Sequence, residues 1–122
     1  MNNHKLTDEI ILFEINYALN KIKEVPNNES PYSYIRGLIN PIKQITNFAI
    51  IKETMQEIIN LYPDCYHAVS LLLDYYENEN DQEEEKNKEK CYELIDVLVN
   101  VDYIRKKYWL WRKNKIERLK NE

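Results

Sequence analysis

The stretch INYALNKIKEVPNNESPYSYIRGL, from Ile15 to Leu38, decides the fold of this chain. Apolar residues in its first half recur three and four positions apart, which is the spacing of one face of an amphipathic helix. Pro26 ends that helix, because proline lacks a backbone N–H and cannot continue the hydrogen-bonding pattern. A second, shorter helix is predicted to begin near Asn28 and to be closed by Gly37 and Pro41. The stretch therefore predicts two helices joined at a tight corner.

The same unit recurs further along the chain. Pro63 lies 37 residues after Pro26, and the apolar residues ahead of each proline align at this offset. The aligned pairs are Ile11 with Phe48, Ala18 with Met55, Ile22 with Ile59 and Val25 with Tyr62. A period of this length, built from helix pairs, is typical of an α-solenoid, in which each hairpin buries its inner face by stacking on its neighbours. We predict an all-α superhelix of about three stacked antiparallel hairpins.

The repeat sets the expected domain organisation. We predict one helical-repeat domain over residues 1–122, with hairpins over approximately 7–40, 42–77 and 88–120. An acidic loop is predicted over about 78–87, because this segment is rich in carboxylates and lacks apolar periodicity. Within the third hairpin, the sixth helix is expected to bury one stripe, formed by Ile104, Tyr108, Trp111 and Leu119.

Composition excludes several classes of protein. The 122 residues include one glycine, which argues against phosphate-binding loops and nucleophile elbows, since both need glycine at close backbone approaches. Two cysteines are too few for a disulfide scaffold. The net charge of −4 combines a segment at 103–120 carrying +7 with a remainder carrying −11. Such asymmetry suits internal pairing, docking on an acidic partner or attraction of a polyanion.

No catalytic or metal-binding constellation emerges from the residues. Cys65 and His67 are two positions apart on one predicted helix, so their side chains point to different faces. Adding Cys91 gives neither the spacing nor the number of ligands of a zinc site. We therefore predict no catalytic residue and no metal ligand in this chain.

Two interpretations remain open on the residues alone. One is a tetratricopeptide-like scaffold that binds a peptide or helix on its concave face. The other is a small RNA-associated module, in which the basic tail contacts phosphates and Tyr108, Trp109 and Trp111 stack on bases. A solvated basic face above buried aromatics is the favoured interpretation of that tail, since charge without a motif is weak evidence.

The corner adds a resemblance to a known family. The residues Pro26-Asn27-Asn28-Glu29-Ser30-x-Tyr32-x-Tyr34-Ile35-Arg36-Gly37-Leu38 resemble the Pro-x-Asn-x-Ser-x-Trp-x-x-Arg signature of protein prenyltransferase α-subunit repeats. The tail Ile104-Arg105-Lys106-Lys107-Tyr108-Trp109 is similar to the closing helix of the α subunit shared by protein farnesyltransferase and type I geranylgeranyltransferase. Tyr32 departs from the signature, which usually has tryptophan there.

The resemblance implies a function for the whole assembly. This chain would correspond to the C-terminal repeats of a larger α subunit that wraps around a β subunit in the cytoplasm. The β subunit carries the zinc ion, magnesium assists the holoenzyme, and the reaction transfers a farnesyl or geranylgeranyl group to the cysteine of C-terminal CaaX proteins. The chain itself is expected to bind no cofactor, to cross no membrane and to act structurally, without catalysing the reaction on its own.

The resemblance also assigns residues. Candidates for the subunit interface are Asn28, Ser30, Tyr34 and Arg36. Structural roles are expected for Tyr32 in the first hairpin and for Tyr108, Trp109 and Trp111 in the last. Because solenoids need polar caps at both ends, the first helix is expected to leave an apolar flank uncovered, formed by Ile11, Leu12, Ile15 and Leu19. Self-association or marginal stability of the chain alone is the corresponding prediction.

Overall fold

The computed structural model describes residues 7–39, 44–79 and 84–121, and across these ranges the chain forms six α-helices and no strand. The helices are α1 (Asp8–Glu24), α2 (Glu29–Ile39), α3 (Ala49–Leu61), α4 (Tyr66–Glu77), α5 (Glu84–Val101) and α6 (Lys106–Asn121). Short 3₁₀ turns precede α3 (Ile45–Asn47) and α6 (Tyr103–Arg105). The predicted all-α fold class is confirmed.

The first helix begins and ends as its sequence dictates. The Thr7 side chain accepts a hydrogen bond from the backbone N–H of Ile10 over 3.2 Å, which satisfies one of the free amides of the first turn. Acidic residues occupy the first turn of α1 and lysines its last turn, so both ends complement the helix dipole. Pro26 follows directly after the C-cap residue Val25.

The helices pack as three successive antiparallel pairs, α1 on α2, α3 on α4 and α5 on α6. Neighbouring pairs are joined by contacts of α1 with α3, of α2 with α4, and by extensive packing of α4 on α5. Fully buried side chains from five of the helices form one continuous core, which includes Ile15, Ile22, Tyr32, Ile35, Ile51, Met55, Leu71, Leu73, Ile95 and Leu98. The stacking buries the inner face of each hairpin, as the repeat predicts.

Two predicted boundaries differ from the structure. Gly37, expected to close α2, lies inside the helix with no positive φ, while Pro41 falls outside the described residues. The third hairpin begins at Glu84 instead of residue 88, so residues 84–87 of the predicted acidic loop are helical. Residues 80–83 of that loop lie outside the described residues. Alternating lysine and glutamate suit an exposed helix even without an apolar stripe.

The prediction for the buried face of α6 is wrong. Ile104, Tyr108 and Trp111 are 85%, 47% and 53% exposed, whereas Trp109 and Ile116 are buried. The 3₁₀ turn places Ile104 ahead of α6 and off its helical register. Trp109, Arg112 and Ile116, at helical spacing, form the face that packs inward. The side chain of Leu119 lies outside the described part of the chain.

The uncovered flank of α1 also consists of different residues from those predicted. Ile11, Ile15 and Leu19 are buried within the chain, and of the four predicted residues Leu12 is exposed. The exposed apolar side chains of this helix are Ile10, Leu12, Phe13 and Tyr17. An apolar flank at this end of the superhelix is therefore present, one helical face away from its predicted position.

Candidate functional site

The corner between α1 and α2 is held by one carbonyl oxygen. The phenolic Oη of Tyr32 donates to the Pro26 carbonyl over 2.8 Å, and the Sγ of Cys65 donates to the same oxygen over 3.3 Å. The Tyr32 oxygen and the Cys65 sulfur lie 3.6 Å apart. Because Cys65 opens α4, this cluster joins the first corner to the second hairpin.

The hydroxyl of Tyr32 forms a polar centre beside the core. Tyr32 is fully buried, and burial, with the contact to Cys65 as the next cause, raises the pKa of its phenol well above the ordinary value. Tyr32 therefore stays neutral and remains a hydrogen-bond donor to the corner. The structural role predicted for this residue has a clear physical basis, since its ring fills the hairpin and its hydroxyl satisfies a backbone carbonyl.

The four interface candidates occupy different positions. Asn28 accepts a hydrogen bond from the backbone N–H of Ser30 over 3.1 Å through its side-chain oxygen, which caps the start of α2. Ser30 and Tyr34 are exposed on α2. The side chain of Arg36, by contrast, contacts α4 of the second hairpin. No single patch unites all four, and Arg36 alone joins the ion network described next.

Arg36 belongs to a network of ion pairs that spans all three hairpins. Its Nε donates to Asp74 over 2.9 Å and its Nη2 to the Ser70 hydroxyl over 3.0 Å. The second oxygen of Asp74 accepts a hydrogen bond over 3.0 Å from Nη2 of Arg112, on α6. The same Arg112 nitrogen also donates to Glu77. Asp74 thus bridges two guanidinium groups that come from the first and the third hairpin.

Arg112 stays charged although it is buried. Burial by itself lowers the pKa of the guanidinium, but Glu77 and Asp74 outweigh burial and raise it above the ordinary value. The Arg112 side chain is 10% exposed, against 24% for Asp74 and 22% for Glu77. A buried arginine is tolerated only with such partners, because an unpaired charge in the interior is costly.

A second hydrogen-bonded cluster fixes the start of α6. The indole Nε1 of Trp109 donates to Asp102 over 3.0 Å, and Arg105 Nε lies 3.6 Å from the same carboxylate oxygen. Asp102 is buried at the turn that leads into α6. Its contacts with Trp109 and Arg105 orient both side chains. Trp109 is the one predicted aromatic of this helix that is buried.

The ion-pair network around Asp74 and the hydrogen-bonded cluster around Asp102 border one groove. It encloses about 400 Å³ between α2, α4 and α6. Its lining is Arg36, Ser70, Asp74, Arg105, Tyr108, Trp109 and Arg112. The groove is therefore lined by three guanidinium groups and two aromatic side chains, and ion pairs fix the positions of its arginines. We take it as the candidate site, because such an arrangement can bind a polar group of a partner.

The thiol and imidazole groups have structural surroundings. His67 stacks on Tyr32 with 5.2 Å between ring centroids, and burial lowers its pKa. Cys65 donates to the Pro26 carbonyl rather than to His67. Within residues 7–39, 44–79 and 84–121 no group of three metal-ligating side chains could hold a metal ion. The described thiols and imidazole thus give no indication of a nucleophile with its base.

Cys91 offers a direct test of this core. Burial, followed by the nearby Glu77, raises the pKa of its thiol from 9.0 to about 12, although Arg112 opposes the shift. Since the thiolate is the reactive form, alkylation by iodoacetamide at pH 8 is expected to be about a thousandfold slower than for an exposed cysteine. Mass spectrometry of timed samples measures this rate, with the urea-unfolded chain as control. Equal rates in both states would contradict the buried position.

Sequence reasoning missed Asp74, Glu77 and Arg112. Asp74 and Glu77 are three residues apart on α4, which places both carboxylates on one face of an otherwise apolar helix. That spacing was the available signal of a paired, inward-facing charge. The cation they bind lies 35 and 38 residues away along the chain, beyond the reach of local patterns.

Stacked antiparallel hairpins define this chain as a helical-repeat protein. No protein-family model matches the chain. It is 33% identical over 103 residues to the protein farnesyltransferase/geranylgeranyltransferase type-1 subunit alpha of Dictyostelium discoideum. Proteins of the same name from Solanum lycopersicum and Arabidopsis thaliana are 25% and 29% identical over 118 and 119 residues.

These similarities confirm the resemblance inferred from the corner: the chain is homologous to a part of the protein farnesyltransferase/geranylgeranyltransferase type-1 α subunits. Each alignment covers 84% of this chain. The chain spans about a third of the length of the relatives it matches, between 31% and 36%. Among the described residues, no helix combines the length and the apolarity needed to cross a bilayer.

Proposed function

We propose that this chain acts as part of the α subunit of a heterodimeric protein prenyltransferase, where it supports a catalytic β subunit. The observation that carries the proposal is the similarity to three α subunits over 84% of the chain. The alternative of a tetratricopeptide-like scaffold is not favoured, because all three relatives are prenyltransferase α subunits.

The remaining parts of the proposal follow from the same relationship. The chain corresponds to the C-terminal repeats of the α subunit and works in the cytoplasm. The assembled enzyme transfers a farnesyl or geranylgeranyl group to the cysteine of CaaX proteins. Zinc sits on the β subunit and magnesium assists the assembled enzyme, so this chain holds neither. Its contribution is a rigid helical surface that positions the partner.

Rigidity of that surface has a structural basis on this chain. Asp74 joins α2 to α6 through two guanidinium groups, and Asp102 fixes Trp109 at the start of α6. Side chains held by several hydrogen bonds lose little further freedom on binding, which favours association. A preorganised groove is the arrangement expected of a subunit that binds another polypeptide and leaves the chemistry to it.

The test is co-expression of the chain with a prenyltransferase β subunit. We expect a 1:1 complex in size-exclusion chromatography. We also expect transfer of labelled farnesyl or geranylgeranyl diphosphate to a CaaX peptide above the level of the β subunit alone. An unrelated helical-repeat protein of equal length serves as control. A folded chain that elutes apart from the β subunit and adds no transfer would contradict the proposal.

A further inference from the structure

The groove between α2, α4 and α6 retains hydrogen-bond donors that are not used within residues 7–39, 44–79 and 84–121. The hydrogen bonds of Arg36 to Asp74 and Ser70 engage its Nε and one N–H of Nη2, whereas a guanidinium carries five N–H donors. The contact of Arg105 with Asp102 involves its Nε. Both side chains can therefore offer further N–H groups to a planar oxygen acceptor.

The residues that carry these donors are accessible. The side chains of Arg36 and Arg105 are 38% and 58% exposed, and Tyr108 beside them is half exposed. Arg112, at 10%, belongs to the floor of the groove. A ligand entering the groove thus meets two guanidinium groups and a phenol ring, above a floor fixed by ion pairs. The volume of about 400 Å³ lies within the common range for binding clefts, roughly 300–1,000 Å³.

Charge balance decides which anion fits. The three arginines of the groove are matched in number by three carboxylates, Asp74, Glu77 and Asp102, and each arginine lies within ion-pair distance of at least one of them. A polyphosphate or a nucleic-acid backbone requires a surplus of positive charge, which this balance does not supply. A single carboxylate can be bound by a planar pair of N–H donors and does not require a large excess of positive charge. The groove therefore fits an aspartate or glutamate side chain.

We propose that the groove is a docking site for an acidic segment of the partner polypeptide, in which Arg36 and Arg105 donate to one Asp or Glu side chain beside the ring of Tyr108. The inference rests on the proposed function in one respect, namely that the segment belongs to the β subunit. It adds a defined point of attachment to an assembly otherwise inferred from similarity alone.

The first experiment titrates the full ¹⁵N-labelled chain with the peptide acetyl-Gly-Ser-Glu-Glu-Ser-Gly-amide at low salt. We expect the Nε–H signals of Arg36 and Arg105 and the indole signal of Trp109 to shift, while the indole signal of Trp111 stays in place. Arg105→Gln should weaken binding about fivefold, as the loss of one partly exposed ion pair predicts. The Glu-to-Gln peptide should leave the spectrum unchanged.

The matched control is Lys107→Gln, which removes one positive charge next to the groove without touching its lining. It should change the affinity less than twofold, and unaltered thermal unfolding shows that both variants fold. Equal losses in Arg105→Gln and Lys107→Gln would overturn the proposal in favour of diffuse attraction to the basic tail. Tighter saturation of the same signals by sodium pyrophosphate would overturn it in favour of a phosphate site.

Co-expression with the β subunit separates this inference from the proposed function. We expect Arg105→Gln to weaken the complex with the β subunit about fivefold and Lys107→Gln to leave it unchanged. If the complex forms equally well with both variants, the groove inference fails while the proposed function stands. If the peptide binds in the groove but no complex with the β subunit forms, the proposed function fails.

Discussion

Arg112→Ala is expected to lower the free energy of unfolding by about 2–4 kcal/mol, because it removes the guanidinium partner of Glu77 and one of the two guanidinium partners of Asp74. Removing one partner of a buried ion pair costs about 3–5 kcal/mol. The lower range applies here, since Asp74 and Glu77 keep about a quarter of their side-chain surface in water. Asp74 also retains Arg36 as a partner. Urea unfolding at pH 7, followed by circular dichroism, measures the loss.

The matched control is Arg118→Ala, on the same helix and exposed. Surface substitutions of this kind change stability by no more than about 0.5 kcal/mol. A triple variant, Arg112→Met with Asp74→Asn and Glu77→Gln, removes the charges of Arg112 and of both its partners. It is expected to recover much of the loss, since Arg36, with 38% of its side chain exposed, keeps contact with water. If Arg112→Ala costs no more than Arg118→Ala, the network contributes nothing to the fold.

Tyr32→Ala is expected to lower the free energy of unfolding by about 3–5 kcal/mol, the range for emptying a fully buried aromatic site. The ring touches both corners of the superhelix, since its hydroxyl meets Pro26 and Cys65 and its face stacks on His67. The loss therefore affects two hairpins at once. Thermal unfolding, with the fluorescence of the two tryptophans as a second probe, measures it.

Tyr32→Phe separates the hydroxyl from the ring. It should cost about 1 kcal/mol, because the Pro26 carbonyl keeps the Cys65 thiol as a donor and is not left unsatisfied. The control is Tyr34→Ala, two residues further along α2 and 47% exposed. We expect a change within about 0.5 kcal/mol there. A cost for Tyr34→Ala as large as for Tyr32→Ala would show that the corner is not the anchor of the first hairpin.

The spacing of apolar residues predicted the helices of the hairpins well, because the same residues form the core of this fold. The aligned apolar residues ahead of Pro26 and Pro63 specify amphipathic helices whose apolar faces must be buried. Asn28 caps the start of α2, as its residue type suggests. These features depend on residues within one or two turns of each other. Sequence alone can therefore place them.

The face of α6 was beyond the same reasoning for a physical reason. Arginine usually faces solvent, so the sequence favours a stripe through Tyr108 and Trp111, and not one through Arg112, as the apolar face of α6. Its burial depends on carboxylates of α4, and only the folded chain brings them within hydrogen-bonding distance. The groove could not be predicted from local patterns for the same reason. The resemblance identified Arg36, but its partner Asp74 lies on another hairpin.

A single carboxylate that serves two guanidinium groups has a consequence for inherited variation. Loss of Asp74 in a descendant gene would leave Arg36 without its counter-ion and Arg112 with Glu77 alone, whereas loss of Arg36 would leave both pairs of Arg112 intact. Mutational tolerance should thus be lower at Asp74 than at Arg36. Lineages that replace Asp74 should have exchanged Arg36 as well, so these two codons are expected to change together.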